Sequence, residues 1–126
     1  MAAQSTVLVI DDDKDLVNLF RADLRVAGCN VLAAFDAMQG FMLAQREVPS
    51  LILLDLQLPA GGGMQLLEKL AKSGKTQAIP VVMVTATNDP KLEAETRAKG
   101  AVAFLRKPVE RAALVALVQS VLAKQP

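Results

Sequence analysis

Short apolar runs alternate with helical patterns along the whole chain, and this alternation restricts the fold more than any other feature. Three of the runs are almost continuously apolar: Val7–Ile10, Leu51–Leu54 and Pro80–Thr85. Strands without polar alternation are covered on both faces, as in parallel sheets. Strict alternation of such strands with helices predicts a doubly wound α/β fold with a parallel sheet of about five strands.

The other elements are predicted from hydrophobic periodicity and from helix start and stop signals. Val31–Phe35 and Ala101–Leu105 are predicted to be the second and fifth strands. Three helices are marked by apolar residues at helical spacing: Leu16, Leu19, Phe20, Leu24 and Ala27 before Gly28; Met64, Leu67, Leu70 and Ala71, predicted to point inward; and Leu114, Leu117, Val118, Val121 and Leu122. A short helix after the second strand is marked by Met38, Phe41, Met42 and Gln45.

The fourth helix is predicted to be weakly held. Asp89-Pro90 supplies an N-cap followed by proline at the first helical position, which is a strong start signal. The residues left to bury within Pro90–Lys99 are Leu92, Ala94 and Ala98. A helix that buries so little apolar area is expected to be able to move.

Composition predicts a single globular domain, residues 1–126, with 52% hydrophobic and 21% charged residues. A net charge of +1 gives no electrostatic reason to bind nucleic acid. The single cysteine, Cys29, cannot form an internal disulfide and fits a reducing compartment. No apolar run reaches the roughly 18 residues of a membrane span, and the first residues do not resemble a signal peptide. A cytoplasmic protein is therefore expected.

Polar residues end several of the predicted strands. Asp55 directly follows the apolar run Leu51–Leu54, and burying its carboxylate without a partner would cost several kcal/mol or more. Thr85 and Lys107 stand at or just past two later strands. In open α/β sheets, functional sites form at the carboxyl ends of strands. We therefore expect these side chains to meet at one edge of the sheet.

The acidic triplet Asp11-Asp12-Asp13 follows the first strand. Asp13 is explained by a helix N-cap, but one cap does not require three carboxylates. Adjacent like charges beside Asp55 would raise one another's pKa values. Mg²⁺ prefers oxygen ligands and would relieve this repulsion. The triplet therefore predicts that Asp11 and Asp12 bind a metal ion.

Three residues of this group also have simple structural interpretations. Lys107 could be a surface lysine, although it directly follows a buried strand. Thr85 could be a β-branched strand residue whose hydroxyl bonds to the backbone. Phe104 could be an ordinary core residue.

Four segments together resemble the receiver domain of two-component response regulators, in order and in spacing: Val7–Asp12, Leu51–Pro59, Val81–Ala86 and Phe104–Pro108. The resemblance covers essentially the whole chain and implies the flavodoxin-like (β/α)5 receiver fold. It implies that Asp55 is the phosphoacceptor. It also implies that Mg²⁺ is held by Asp11, Asp12, Asp55 and the backbone carbonyl of Gln57.

The same resemblance assigns the remaining site residues. Thr85 and Lys107 match the hydroxyl and lysine that contact the phosphoryl group, and Phe104 matches an aromatic switch position. The peptide between residues matching Lys107 and Pro108 is usually cis in that family. Gln57 and Thr87 match positions that tune the lifetime of the phosphoryl group.

The implied function is signalling. The chain would catalyse its own phosphorylation and dephosphorylation, although it would not be an enzyme acting on other substrates. The partners would be a sensor histidine kinase or histidine phosphotransfer protein, and an output domain or downstream target, with no nucleic acid bound by this domain. Because the sequence contains no histidine, the phosphoryl donor must act in trans. Partners would read the face formed by the fourth helix, fifth strand and last helix.

One departure from the family and two alternatives remain. Gly61 and Gly62 stand where the family commonly has Met and Asp before the glycine at position 63, which suggests a mobile loop. A haloacid dehalogenase-like phosphatase could use Asp11 as nucleophile, but its second acidic motif is matched only by Glu110. A pseudo-receiver used only for binding is disfavoured by the intact site residues.

Overall fold

The computed structural model describes residues 4–59 and 62–124, which form a five-stranded parallel sheet covered by helices on both faces. The strands are β1 (Thr6–Ile10), β2 (Asn30–Ala34), β3 (Leu51–Asp55), β4 (Val81–Thr85) and β5 (Ala103–Arg106). The helices are α1 (Lys14–Val26), α2 (Ala37–Glu47), α3 (Gly62–Lys72), α4 (Pro90–Ala98) and α5 (Arg111–Ala123). The strand order β2-β1-β3-β4-β5 confirms the predicted doubly wound, flavodoxin-like fold.

Two apolar cores lie on opposite faces of the sheet. Because alternate side chains of a strand point to opposite faces, Leu8 and Ile10 join one core while Val7 and Val9 join the other. The first core contains buried residues of α2 and α3, and the second contains buried residues of α1 and α5. The continuous apolar runs are therefore explained by burial on both faces. No helix within the described ranges is both long and apolar enough to cross a membrane.

The buried face of α2 differs from its apolar stripe. Met38 and Met42 are 75% and 60% exposed, whereas Gly40 and Ala44 are buried. A Cβ on Gly40 would lie 2.7 Å from the Cδ1 atom of Ile10. The helix thus packs too closely on β1 for large side chains, and the methionines are left on the surface.

The burial predicted for α4 is wrong in detail. Ala94 and Ala98 are exposed, Leu92 is half-buried, and the one fully buried residue of the helix is Thr96. The Thr96 hydroxyl donates to the backbone carbonyl of Glu93 at 2.8 Å, so its burial leaves no donor unsatisfied. The predicted start is confirmed, since Asp89 caps the helix by accepting the Lys91 amide.

Helix α3 also differs from its prediction. Gly62 and Gly63 belong to its first turn and are buried, although the sequence placed them in a loop. Ala71, predicted to point inward, is exposed, and Leu66 is buried in addition to Leu67. The expected mobility around Gly61 concerns a position outside the described residues.

Candidate functional site

The register of the sheet brings two carboxylates to the same edge. Ile10 pairs with Leu54, so Asp11 and Asp55 are the next residues along their strands. Both are almost completely buried, at 2% and 4% exposure. The backbone amide of Asp11 still donates to the carbonyl of Ala34 at 3.1 Å, which holds the chain in place beyond the end of β1.

Lys107 follows β5, and its side chain reaches both carboxylates. Its backbone amide donates to the carbonyl of Thr85 at 2.8 Å, which fixes the chain just past β5. Its Nζ donates to Asp11 Oδ2 at 2.9 Å and lies 3.7 Å from Asp55 Oδ2. The Lys107–Pro108 peptide is cis, as the resemblance implies.

Burial and neighbouring charge set the ionisation of this pair. Burial raises the pKa of Asp55, and the negative charge of Asp11 raises it further. The Gln57 amide, which donates to Asp55 Oδ1 at 3.0 Å, lowers this pKa, and so does the charge of Lys107. The net result is a raised pKa. Burial alone would lower the pKa of Lys107, but the bond to Asp11 and the charge of Asp55 raise it overall. The lysine therefore stays charged, but its positive charge offsets the negative charge of Asp55 only in part.

A third carboxylate completes a cluster suited to a cation. One carboxylate oxygen from each of Asp11, Asp12 and Asp55 lies within 4.8 Å of the others. These three carboxylates face one ammonium group, that of Lys107, which leaves two negative charges uncompensated. Asp12 is exposed and accepts no hydrogen bond within the described ranges, so it can bind from the solvent side. Hard oxygen donors and this charge deficit fit Mg²⁺.

Magnesium is expected to stabilise the protein. Saturating the site at ten times its Kd would add roughly 1.4 kcal/mol to the free energy of unfolding. Thermal melts followed by circular dichroism, with and without MgCl₂ at constant ionic strength, measure this shift. Asp12→Asn should reduce it, whereas Asp23→Asn on α1 should leave it unchanged. An identical shift in parent and Asp12→Asn would exclude this cluster as the source.

Thr85 and Phe104 lie next to each other on one face of the sheet. Met83 pairs with Phe104, and Thr85 follows two residues along β4, so both side chains point to the face covered by α3. Thr85 is fully buried, and its Oγ1 accepts the Thr87 amide at 3.3 Å. Phe104 is only half-buried against the first core. The two side chains therefore share one face of the sheet, in diagonal positions on β4 and β5.

Most of the predicted site residues come together. Asp11, Asp12, Asp55 and Lys107 form one cluster, and Thr85 is linked to it through the Lys107 backbone. Gln57 contacts Asp55 through its amide, while the ligand role of its carbonyl stays a prediction.

Sequence reasoning missed two supports of the site. The Asp13 amide donates to Asp11 Oδ1 at 2.9 Å, while the Asp13 side chain caps α1 as expected. Gly63 allows α3 to approach closely, since a Cβ there would lie 2.2 Å from the carbonyl oxygen of Leu56 and 2.5 Å from that of Asp55. No periodicity signals either support, because one is a backbone amide in a loop and the other is a close approach of the first turn of α3 to backbone carbonyls.

The sequence matches the response regulator receiver domain over residues 7–119. It is 32% identical to protein PilH of Pseudomonas aeruginosa over 117 residues, covering 93% of this chain and 97% of that protein. It is 34% identical over 116 residues to the DNA-binding dual master transcriptional regulator RpaA of Synechocystis. The match to RpaA covers 92% of this chain, and it spans about half (48%) of the length of RpaA.

Solved structures agree with these sequence matches. A CheY-like response regulator receiver domain protein from Methanospirillum hungatei superposes with a TM-score of 0.90 at 27% identity, covering 97% of this chain and 96% of that one. Chemotaxis response regulator CheY4 of Vibrio cholerae gives 0.88 at 25% identity, covering 94% and 99%. The alternative of a haloacid dehalogenase-like phosphatase with Asp11 as nucleophile is not supported by these comparisons.

Proposed function

The chain belongs to the response regulator receiver domain family, and on that premise we propose that it accepts a phosphoryl group on Asp55 in a Mg²⁺-dependent reaction. One observation carries the proposal. The Lys107 ammonium lies between the carboxylates of Asp11 and Asp55, at 2.9 and 3.7 Å, at the carboxyl edge of the sheet. A lysine and a cluster of acids around one buried carboxylate are suited to receiving a phosphoryl group.

The reaction requires little from the protein beyond placement and charge. An ionised Asp55 attacks phosphorus without a general base, because it has no proton to lose. A bond forms between a carboxylate oxygen and phosphorus, the bond from phosphorus to the donor nitrogen or oxygen breaks, and the donor leaves with that electron pair. Phosphoryl transfer depends mainly on positioning and on neutralising the equatorial oxygens.

Two side chains and a metal site would stabilise the phosphoryl group transferred to Asp55. Lys107 pairs with one of its oxygens, and the Thr85 hydroxyl donates to another after leaving the Thr87 amide that it now accepts. Asp11, Asp12, Asp55 and the Gln57 carbonyl would hold Mg²⁺. When bound, the ion supplies the positive charge that the carboxylate cluster lacks.

The same contacts would work as a switch. When Thr85 moves toward the phosphoryl group, it vacates space on the face that Phe104 shares, and the half-buried ring can turn inward. A charge event is thereby converted into a packing change with two discrete states. Partners then read the surface of α4, β5 and α5, since α4 buries only Thr96 completely.

The donor and the readers of the signal lie outside these residues. The 126 residues contain no histidine, so a phosphohistidine donor belongs to a sensor kinase or phosphotransfer protein. We take residues 1–126 as one receiver domain that acts in the cytoplasm through an output domain or a separate target. A small acyl phosphate would be an alternative donor.

Acetyl phosphate with Mg²⁺ is expected to add one phosphoryl group per chain, seen as a mass increase of the intact protein. Peptide mapping by mass spectrometry should place it on Asp55, and a chelator should prevent its formation. Mass readouts are needed because the chain has no Trp or Tyr to report by fluorescence. An adduct on Asp11, or addition that is indifferent to the chelator, would contradict the proposal.

A further inference from the structure

Two methionines form an apolar ridge on the surface of α2, and neither takes part in the proposed phosphoryl transfer. Met38 and Met42 are 75% and 60% exposed and lie one turn apart on the same face of the helix. Apolar side chains clustered in this way often mark an interaction site. Methionine is also common at interfaces, because its flexible thioether adapts to different partners.

Grooves lie on both sides of this ridge. The groove between α2 and α3 has a volume of about 340 Å³ and is lined on its walls by Phe41 and Leu66. The groove on the other side of the ridge has a volume of about 320 Å³ and is lined in part by Leu43. A ridge of two flexible apolar side chains between two grooves offers anchoring points for side chains of a partner.

The charges along the grooves favour an acidic partner. Lys69 is the one charged side chain lining the groove between α2 and α3 among the residues described, and its Nζ lies 4.2 Å from the centre of the Phe41 ring. Arg46 lines the second groove, but its Nε lies 3.9 Å from Oε2 of Glu47 and is already paired. The one acidic residue lining either groove in the described chain, Asp36, already accepts the Gln39 amide as the N-cap of α2. Carboxylates on a partner bound between α2 and α3 would therefore meet Lys69.

We propose that the groove between α2 and α3 binds an amphipathic helix of a partner protein, with apolar side chains against Met38, Met42 and Phe41 and acidic residues beside Lys69. A cleft between two helices fits a third helix that presents anchors at i, i+3 or i+4, and i+7. The 11 residues of α2 are about 16 Å long, enough to contact three turns of that helix.

A second copy of this chain fits the surface less well. In a two-fold dimer through this patch, the same surface is present on both sides of the interface. Lys69 of one copy would then face the same groove of the other copy, which is lined by no acidic residue within the described ranges. The surface is also separate from Asp55 and Lys107, so the inference goes beyond the proposed function.

A designed peptide tests this surface directly. The probe is a fluorescein-labelled, alanine-based peptide of about 18 residues, long enough to populate a helix, with leucines at i, i+4, i+7 and i+11 and glutamates flanking them. A sibling peptide carries lysines instead of the glutamates. Fluorescence anisotropy measures affinity, and amide shifts in ¹H–¹⁵N NMR spectra of the full chain locate the site.

The acidic peptide is expected to bind at least about tenfold more tightly than the basic one, with amide shifts confined to α2 and α3. Met38→Gln together with Met42→Gln should weaken binding by about tenfold or more. A matched control replaces Leu19 and Val26 by glutamine, since these are also exposed apolar residues, at 53% and 84%, but lie on α1. The control should bind as the parent does. Circular dichroism melts confirm that every variant is folded.

Several results would overturn the inference. These are no binding at millimolar peptide, equal binding of the two peptides, amide shifts outside α2 and α3, or equal weakening by the α1 control. Sedimentation showing a dimer that the methionine substitutions dissociate would identify a second copy as the occupant and refute a partner helix. Asp55→Asn should bind the acidic peptide normally, which separates this test from that of the proposed function.

Discussion

Asp55→Asn is expected to eliminate phosphorylation by acetyl phosphate while making the metal-free protein more stable. The amide keeps the size of the side chain but cannot attack phosphorus. It also removes a buried charge that Lys107 compensates only in part, because Lys107 is bonded to Asp11. Relief of this penalty should raise the free energy of unfolding, and a gain of about 1 kcal/mol corresponds to about 4 °C in melting temperature for a domain of this size.

The stability gain should depend on pH in a defined direction. Burial raises the pKa of Asp55 in the folded state above its ordinary value. Below the pKa of the unfolded chain, Asp55 is protonated in both states and carries no penalty. As the pH rises through the unfolded and then the folded pKa, the unfolded state loses its proton first and native stability falls. The advantage of Asp55→Asn should therefore be absent in acid and should grow as the pH rises toward neutral.

Intact mass and thermal melts in EDTA, at acid and neutral pH, measure both effects on the same preparation. Asp23→Asn serves as the control and should be phosphorylated like the parent. An undiminished mass gain in Asp55→Asn would place the acceptor elsewhere. A neutral-pH melting temperature below that of the parent would show that the carboxylate stabilises the fold.

Gly63→Ala is expected to be the most damaging small substitution near the site. Its Cβ would approach the carbonyl oxygens of Leu56 and Asp55 to 2.2 and 2.5 Å, and backbone atoms cannot turn aside as a side chain can. Either α3 or the loop after β3 must shift. Overpacking of this kind typically destabilises by 1–3 kcal/mol, and we expect about 3 kcal/mol or more here. Phosphorylation should fall as well, because the displaced backbone carries the acceptor.

Gly74→Ala provides the matched control, since a Cβ at that position meets nothing within 4 Å. It should be neutral or slightly stabilising, because alanine reduces the entropy of the unfolded chain. Urea unfolding followed by circular dichroism compares the two variants. Equal stability of Gly63→Ala and Gly74→Ala would mean that α3 is not held against β3 as described.

The strands and their chemistry could be predicted because both leave strong signals in sequence. A strand covered on both faces is a nearly continuous apolar run, so Asp55 stood out at the point where β3 ends. The strand before Lys107 was also expected to be buried, but β5 is an edge strand with no fully buried residue. Parallel topology then required these ends to share one edge. The approach of the Lys107 ammonium to two carboxylates follows from that geometry.

Helix faces were harder to predict because packing distance does not appear in a hydrophobic pattern. Gly40 and Ala44 are buried in α2 because the helix lies too close to Ile10 for anything larger. The apolar Met38 and Met42 therefore face solvent. In α4, Thr96 is buried where alanines were expected, because its hydroxyl donates a hydrogen bond within the helix. Small or polar residues in tight contacts carry little periodic signal.

Asp55 and Lys107 are held by strands that differ in how much of their surface is buried. Asp55 ends the central strand β3, in which every residue is buried, whereas Lys107 follows the edge strand β5, which has no fully buried residue. Segments with little buried area open at lower free energy than core strands. Amide hydrogens of β5 and α4 should thus exchange with solvent sooner than those of β3. The proposed acceptor therefore lies on a strand that opens rarely and its lysine follows one that opens more readily, so β5 and α4 can move while Asp55 keeps its place.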